Sequence, residues 1–248
     1  MGIFNFRHKQ KNNSFNYTDF YSTDLHSHLI PGIDDGSPDF EESLKIIAAL
    51  SNMGIKKIIT TPHISMLYPN TPEKIYDIFT KLQQEVAAKN IEISLEVAAE
   101  YMIDENFVEI LKNEKLMTFG DNYVLIELSS YSPFPILSDL IFEMQTKGYN
   151  IVLAHPERYL YWQYEFSGLE KLKDRELLFQ LNILSLTKIY SPDVHKLAVR
   201  LIKEGMIDFV GSDTHSVDYI PKMNDVLTGK LFQELAATGQ MKNNLLSD

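Results

Sequence analysis

The chain has 248 residues, of which 44% are hydrophobic and 23% are charged, as expected for one α/β domain or two small ones. A net charge of −11 argues against binding along a nucleic-acid backbone, where lysine and arginine supply the affinity. The absence of cysteine excludes disulfides, thiolate catalysis and cysteine metal sites, and no apolar run approaches the roughly 20 residues of a membrane span. We therefore expect a cytoplasmic protein with no stable membrane insertion and no nucleic-acid partner.

Residues 1–18 are expected to form a flexible N-terminal arm, because they begin polar and basic, without the apolar core of a secretory signal. The remainder, residues 19–248, is expected to form a single domain. The predicted strands cover residues 20–26, 55–64, 91–102, 122–130, 149–158, 177–186 and 207–215. The predicted helices cover residues 40–54, 71–90, 104–114, 135–147, 168–175, 191–205 and 229–241.

Three of the predicted helices have at or just before their start a dipeptide typical of a helix N-terminus, with a hydroxyl residue as N-cap and proline at the first helical position. These dipeptides are Ser37-Pro38, Thr71-Pro72 and Ser191-Pro192. The regular alternation of strands and helices predicts a parallel sheet with right-handed crossovers. A closed barrel and a doubly wound open sheet both fit this pattern.

Most of the predicted strands end in a side chain that can bind a metal ion. These residues are His26, His28, His63, Glu100, Glu127, His155, Asp213 and His215. The sixth strand offers only Asn182, and the remaining two of the seven histidines are His8 in the arm and His195 on a helix. The carboxyl ends of parallel strands converge, and so many imidazoles and carboxylates are costly to bury together without cations. The sequence therefore predicts a metal centre there.

The predicted ligands are nitrogen and oxygen donors, which suit Mn²⁺, Fe²⁺ or Zn²⁺. His26 and His28 are two residues apart on a strand, as are Asp213 and His215, so each pair is expected to share one face. There are more ligands than one ion needs, which is typical of paired metals that promote attack on phosphorus or on a carbonyl carbon.

The motifs "DLHSH", "TTPHI", "AAEYM", "AHPER" and "GSDTH" resemble the successive motifs of the PHP (polymerase and histidinol phosphatase) superfamily. The longer stretch "DLHSHLIPGIDDGSPDFEESLKIIAALSNMGIKKIITTPH" is more similar still to the tyrosine-protein phosphatases of bacterial capsule and exopolysaccharide systems, the CpsB/CapC type. The resemblance covers essentially the whole chain after the arm. Glu127 stands where more distant PHP enzymes carry a histidine, which favours the tyrosine-phosphatase branch.

The resemblance implies a distorted (β/α)7 barrel, similar to a TIM barrel, with up to three metal ions at the C-terminal ends of the strands. One ion would be bound by His26, His28, Glu100 and Asp213, and a second would share Glu100 and add Glu127 and His155. The third would be bound by Asp35, His63 and His215. Mn²⁺ is the expected metal, with Fe²⁺ or Zn²⁺ as alternatives.

The implied activity is metal-dependent hydrolysis of phosphotyrosine in a protein, with the tail of a bacterial tyrosine kinase as the expected partner. Because cysteine is absent, the expected nucleophile is a hydroxide held by the metals. Arg158 is expected to bind the phosphoryl oxygens, with an ordinary salt bridge as its alternative role, and a protonated Asp34 or a bound water would assist the leaving phenolate. Ile220 stands near the position of a second arginine in close relatives, for which Lys222 could substitute only as a point charge.

Two other functions stay open at the level of sequence. The first is a different PHP phosphoesterase, such as a histidinol-phosphate phosphatase or a nuclease-like enzyme, although Glu127 and the negative charge weigh against these. The second is a catalytically weak, metal-binding regulatory protein of the same fold, which Ile220 keeps open.

Overall fold

The structure, a computed structural model, describes residues 15–247, so the prediction for residues 1–14, including His8, lies outside the described residues. The strands are β1 (Thr23–Leu25), β2 (Lys57–Thr60), β3 (His63–Ile64), β4 (Ser94–Val97), β5 (Glu100–Met102), β6 (Tyr123–Glu127), β7 (Asn150–Ala154), β8 (Leu178–Asn182) and β9 (Phe209–Gly211). The α-helices are α1 (Phe40–Asn52), α2 (Pro72–Ala88), α3 (Glu105–Asn113), α4 (Leu137–Thr146), α5 (Tyr161–Tyr164), α6 (Ser167–Asp174), α7 (Pro192–Lys203), α8 (Ile220–Leu227) and α9 (Lys230–Ala237). Between residues 15 and 247, no helix is both long enough and apolar enough to cross a membrane.

All the strand pairs are parallel, in the orders β1-β2-β4 and β3-β5-β6-β7-β8-β9. The second predicted strand is split into β2 and β3 around Pro62, which has no N–H to donate to a ladder. The third predicted strand is split into β4 and β5. Hydrogen bonds continue across both breaks, because Ala98 N donates to Thr60 O (2.9 Å) and Glu100 N donates to Pro62 O (3.0 Å). The seven predicted strands are therefore present, two of them in two pieces.

The first and last strands meet at their carboxyl ends. His28 N donates to Thr214 O (3.1 Å), and Asp213 N donates to His26 O (2.8 Å). These bonds bring the two ends of the strand order together. The architecture is therefore a distorted seven-stranded barrel, and the doubly wound open sheet is excluded.

A side chain replaces the backbone ladder at the other end of this junction. The amide of Asn243, which is fully buried, donates from Nδ2 to Thr23 O (3.0 Å) and to Val210 O (2.7 Å). Its Oδ1 accepts from Val210 N (2.9 Å). The strands come so close at Gly211 that an added Cβ would clash with Leu25 O. A residue near the C-terminus thus joins β1 to β9.

Local sequence signals explain most of the helix starts. Thr71 and Ser191 cap α2 and α7 by accepting backbone N–H bonds of 3.3 Å and 3.1 Å, as predicted. The prediction for Ser37 is wrong, because Asp39 caps α1 (2.9 Å). Ser37 instead donates its N–H to His28 O (3.0 Å) and so belongs to the turn that follows β1. The structure adds two helices that the sequence pattern does not predict, α5 with four residues and α8 with eight.

The barrel interior below the carboxyl ends is apolar. It contains Leu25, Ile59, Leu125, Val152 and Phe209, all fully buried. This packed layer closes the bottom of the site and leaves the polar residues at the strand ends to face the open end of the barrel.

Residues 15–18 are folded, which corrects the predicted boundary of the arm at residue 18. Phe15 stacks on Phe20 with ring centroids 5.6 Å apart, and Tyr17 donates its hydroxyl to Met53 O (2.7 Å). Both contacts bury aromatic surface of this segment against the domain.

Candidate metal centre

Glu100, the first residue of β5, lies in the middle of the polar cluster. Its carboxylate oxygens lie 3.2 Å from His26 Nε2, 3.1 Å from His63 Nδ1 and 3.3 Å from His155 Nε2. Both oxygens are buried, and neither accepts a hydrogen bond of ordinary geometry among the described residues. A buried carboxylate without well-formed hydrogen bonds is costly, so Glu100 has the surroundings of a carboxylate that binds cations.

His26 and His28 present their Nε2 atoms to each other at 3.3 Å. Both atoms also face Asp213 Oδ1, at 3.4 Å each. Burial alone would lower the pKa of His26, but the carboxylates of Glu100 and Asp213 outweigh it and raise the pKa to about 9. The negative charge of these carboxylates therefore favours a positive charge between the two imidazoles. A metal ion supplies that charge without requiring both adjacent rings to be protonated.

The part of the cluster closest to solvent contains Asp35, His63 and His215. Asp35 Oδ1 lies 3.5 Å from His63 Nε2 and 3.6 Å from His215 Nε2. The Asp35 side chain is half exposed, and the hydrogen bond from His215 lowers its pKa to about 2. An ionised carboxylate facing two imidazoles offers the donor atoms that a divalent cation can bind.

Glu127 completes the cluster at the end of β6. Its oxygens lie 3.8 Å from His63 Nδ1 and 3.6 Å from His155 Nε2. Burial, and then the negative charges of Glu100 and Asp213, raise the pKa of Glu127 to about 8. Burial and nearby Arg158 lower the pKa of His155 to about 4. A neutral imidazole beside two crowded carboxylates fits a divalent cation.

The ligand atoms fall into overlapping groups, within each of which they lie no more than 4.8 Å apart. The groups are His28, Asp35, His63 and His215; His26, Glu100 and His155; His26, His28 and Asp213; and His63, Glu100 and Glu127. All nine predicted ligands are therefore brought together. The groups overlap, since His28 also lies in the group of Asp35 and His63 also lies in the group of Glu100 and Glu127, and the expected division among three ions stays a prediction.

Three of these residues have strained backbone. His26, His155 and Asp213 have positive φ angles of 80°, 33° and 47°, which residues other than glycine rarely adopt. Each lies just after the end of its strand, where the chain must turn sharply to direct the side chain toward the centre. Such strain costs about 1–3 kcal/mol per residue and is concentrated at functional sites.

Neighbouring polar groups fix the orientation of the imidazoles. His26 Nδ1 donates to Gln180 Oε1 (2.8 Å), and His28 Nδ1 donates to Asp34 Oδ2 (2.9 Å). His215 Nδ1 donates to the backbone carbonyl of Asp213 (2.9 Å). In each ring the second nitrogen is thereby left to face the cluster, as is usual for histidines that bind metals.

Gln180 contacts the predicted ligand His26, although no motif in the sequence points to it. Gln180 and Asn182 are two residues apart in an otherwise apolar strand, and both are fully buried. Their spacing of two residues, the same as that of His26 and His28, is the sequence signal that marks this pair.

Asp34 lies behind His28 and not over the metal ligands. Its carboxylate accepts from His28 Nδ1, from the backbone N–H of His63 (3.0 Å) and from that of Gly36 (3.0 Å). Burial would raise the pKa of Asp34, but the hydrogen bond and positive charge of His28 lower it. These contacts are those of an ionised carboxylate, which contradicts the expectation of a protonated acid.

Arg158 lies at the edge of the cluster and is one-third exposed. Its Nη1 donates to Asp213 Oδ2 (2.6 Å), and Asn182 Nδ2 donates to the same oxygen (2.9 Å). The guanidinium also lies over the ring of Tyr190, 4.9 Å from its centroid. The ion pair of Arg158 is thus with Asp213, and not with neighbouring Glu157.

Ile220 and Lys222 lie away from the ligands. Ile220 begins α8 and is buried in the core. Lys222 lines a cavity with Leu186 and Ile189 that contains none of the nine ligand residues, so the structure does not support Lys222 as a substitute for an arginine. His195, on α7, is also outside the cluster, with Nδ1 3.4 Å from Ser185 O.

A parallel barrel with imidazole and carboxylate ligands gathered at its carboxyl end has the features of a metal-dependent hydrolase. A family model described as capsular polysaccharide synthesis, CpsB/CapC, matches residues 22–241. The chain belongs to this family, and the resemblance seen in the motifs is confirmed.

Known proteins of this kind align with most of the chain. Tyrosine-protein phosphatase YwqE of Bacillus subtilis (strain 168) is 30% identical over 196 residues, 78% of this chain and 77% of that protein. Tyrosine-protein phosphatase CpsB of Streptococcus pneumoniae is 28% identical over 220 residues, 84% of this chain and 90% of that protein. A solved structure from work on these two proteins, described as metal-dependent tyrosine phosphatases, matches with a TM-score of 0.78 at 26% identity, covering 91% of this chain and 94% of that chain. The predicted fold is thereby confirmed.

Proposed function

We propose that this protein is a metal-dependent phosphatase that hydrolyses phosphotyrosine in protein substrates. The observation that carries the proposal is the buried carboxylate of Glu100, which four imidazoles surround and which accepts no hydrogen bond of ordinary geometry among the described residues. It lies in a chain whose relatives are named tyrosine-protein phosphatases. The proposed partner is a phosphotyrosine-bearing protein, the tail of a bacterial tyrosine kinase in capsule or exopolysaccharide synthesis. We expect Mn²⁺ as the metal, with Fe²⁺ or Zn²⁺ as alternatives.

Bound divalent ions would supply an activated water and positive charge for the phosphoryl group. Glu100 would bridge two ions, since both of its oxygens face imidazoles from different strands. Asp35, His63 and His215 would hold an ion on the side of the cluster that is open to a substrate phosphoryl group. The hydrogen bonds from His26 to Gln180 and from the other rings to their partners keep the ligand nitrogens in place without a substrate.

Arg158 is proposed to bind the phosphoryl oxygens. Its bond to Asp213 uses Oδ2, whereas Oδ1 of the same carboxylate faces His26 and His28. One guanidinium nitrogen therefore orients a ligand, and the others remain for the substrate. A planar guanidinium matches two oxygens of a phosphoryl group at once, and developing charge in the transition state strengthens such contacts.

Asp34 is proposed to position His28, in place of its expected role as an acid. The hydrogen bond that it accepts from the His63 amide also ties the turn after β1 to β3, and the one from the Gly36 amide lies within the turn. The phenolate of tyrosine, with a pKa of about 10, leaves more easily than an alkoxide and needs less help from a protein acid.

The test is hydrolysis of a phosphotyrosine peptide by the purified chain, before and after removal of metals. We expect activity to disappear with EDTA, to return with Mn²⁺ and to resist thiol alkylation, since the chain has no cysteine. Histidinol phosphate and a nucleotide diester serve as comparison substrates. Full activity after exhaustive chelation would refute the metal mechanism, and preference for either comparison substrate would refute the proposed substrate.

A further inference from the structure

The turn after β3 exposes two large apolar side chains beside the metal ligands. Met66 is 65% exposed and Leu67 is 77% exposed, and they follow His63 by only three and four residues. Loops at a surface normally carry polar residues, so exposed apolar groups next to a site suggest contact with a ligand.

Several hydrogen bonds hold this turn, residues 65–68, in one conformation. Ser65 N donates to Tyr68 O (3.0 Å), and Tyr68 N donates to Ser65 Oγ (3.0 Å). Met66 N donates to Asp104 Oδ2 (2.9 Å), and the same carboxylate caps α3 through its other oxygen (2.9 Å). The two apolar side chains are therefore presented on a fixed backbone.

A cavity of 390 Å³ lies between this turn and the metal ligands. Its lining includes Asp35, His63 and Glu127 from the cluster, and Leu67 and Tyr68 from the turn. Met66 and Met102 add further apolar surface. The volume is within the roughly 300–1,000 Å³ that is usual for small-ligand sites.

An aromatic surface leads from the turn to the metal ligands. The rings of Tyr68 and His63 are stacked, with centroids 5.5 Å apart and planes 8° from parallel. A second aromatic ring packs well against such a surface in an offset arrangement, and thioethers such as those of Met66 and Met102 also contact rings favourably.

We propose that the turn 65–68, which we call the aryl turn, binds the aromatic ring of the substrate and selects aryl over alkyl phosphate monoesters. The inference rests on the proposed function, because a phosphoryl group at Asp35 and His63 leaves the group esterified to it in this cavity. The ring of phosphotyrosine covers the apolar wall. Phosphoserine has a single methylene before its peptide backbone, so it would leave the wall uncovered and bring polar groups against it.

The experiment measures direct binding of two ligands that cannot be hydrolysed, phenylphosphonate and methylphosphonate, to the metal-loaded protein by isothermal titration calorimetry. These ligands share the phosphonate group and differ in the ring, so leaving-group chemistry does not enter. The wild type should bind phenylphosphonate more tightly. The double variant Met66→Ala/Leu67→Ala should lose about 10-fold in affinity for phenylphosphonate, as expected for removing apolar contacts in a specificity pocket, and should bind methylphosphonate unchanged.

Phe142→Ala is the matched control, because Phe142 is 67% exposed on α4 and lies outside this cavity. It should change neither dissociation constant. Equal losses for both phosphonates in the double variant, or no loss for either, would overturn the aryl turn. A wild type that distinguishes the phosphonates but does not hydrolyse a phosphotyrosine peptide would refute the proposed function and leave the aryl turn supported.

Discussion

Replacing Asn243 with alanine should weaken the junction between β1 and β9. The substitution removes the three hydrogen bonds that the buried amide makes to Thr23 O, Val210 O and Val210 N. At about 1 kcal/mol of net stability for each bond, the loss is about 3 kcal/mol, which corresponds to a fall in Tm of about 6–12 °C for a domain of this size. Urea denaturation of the metal-free protein measures this loss without a contribution from bound ions.

Asn244→Ala is the control for this prediction. Asn244 is the next residue and also makes side-chain hydrogen bonds, to Ser22 and to Asp19 O, but these are exposed, and its loss should cost less than about 1 kcal/mol. Asn243→Asp keeps the acceptor for Val210 N but removes the donor, so it should remain strongly destabilised. If Asn243→Ala is no less stable than Asn244→Ala, the amide does not join the two strands and the closure argument is wrong.

The remaining predictions concern the metal centre. Glu100→Gln should lose more than one metal ion per chain and all measurable turnover while the barrel still folds. Metal analysis and circular dichroism measure these outcomes, and a full metal complement would contradict the bridging role of Glu100. Arg158→Ala should lower kcat/KM on a phosphotyrosine peptide by about 10²-fold or more, and Arg158→Lys should retain only part of the wild-type kcat/KM. Unchanged kinetics with the metals retained would mean that Arg158 acts only as the ion-pair partner of Asp213. Gln180→Ala should weaken metal affinity by about 10–100-fold because His26 loses the acceptor that orients it, whereas Gln180→Glu, which retains an acceptor, should bind metal more tightly than Gln180→Ala.

Strand ends could be predicted from the sequence because apolar runs and their polar last residues are local features. This was enough to place His63 and Glu100 at the site, although Pro62 split the strand before His63. The residues that the sequence did not reveal act over long distances. Asn243 has no local pattern that marks it as a link between two strands. The contact between Asp34 and His28 also leaves no local pattern, because the distance between them depends on the fold of the intervening turn.

The junction of β1 with β9 also determines when the centre can exist during synthesis. His26 and His28 are made early, while Asp213 and His215 follow near the other end of the chain, and Asn243 comes later still. A chain growing on a ribosome, or one ended early by a premature stop codon, has only part of the ligand set. The full set of proposed ligands therefore exists only after the last strand has been translated. An incomplete product lacks some of these ligands and should have no phosphatase activity.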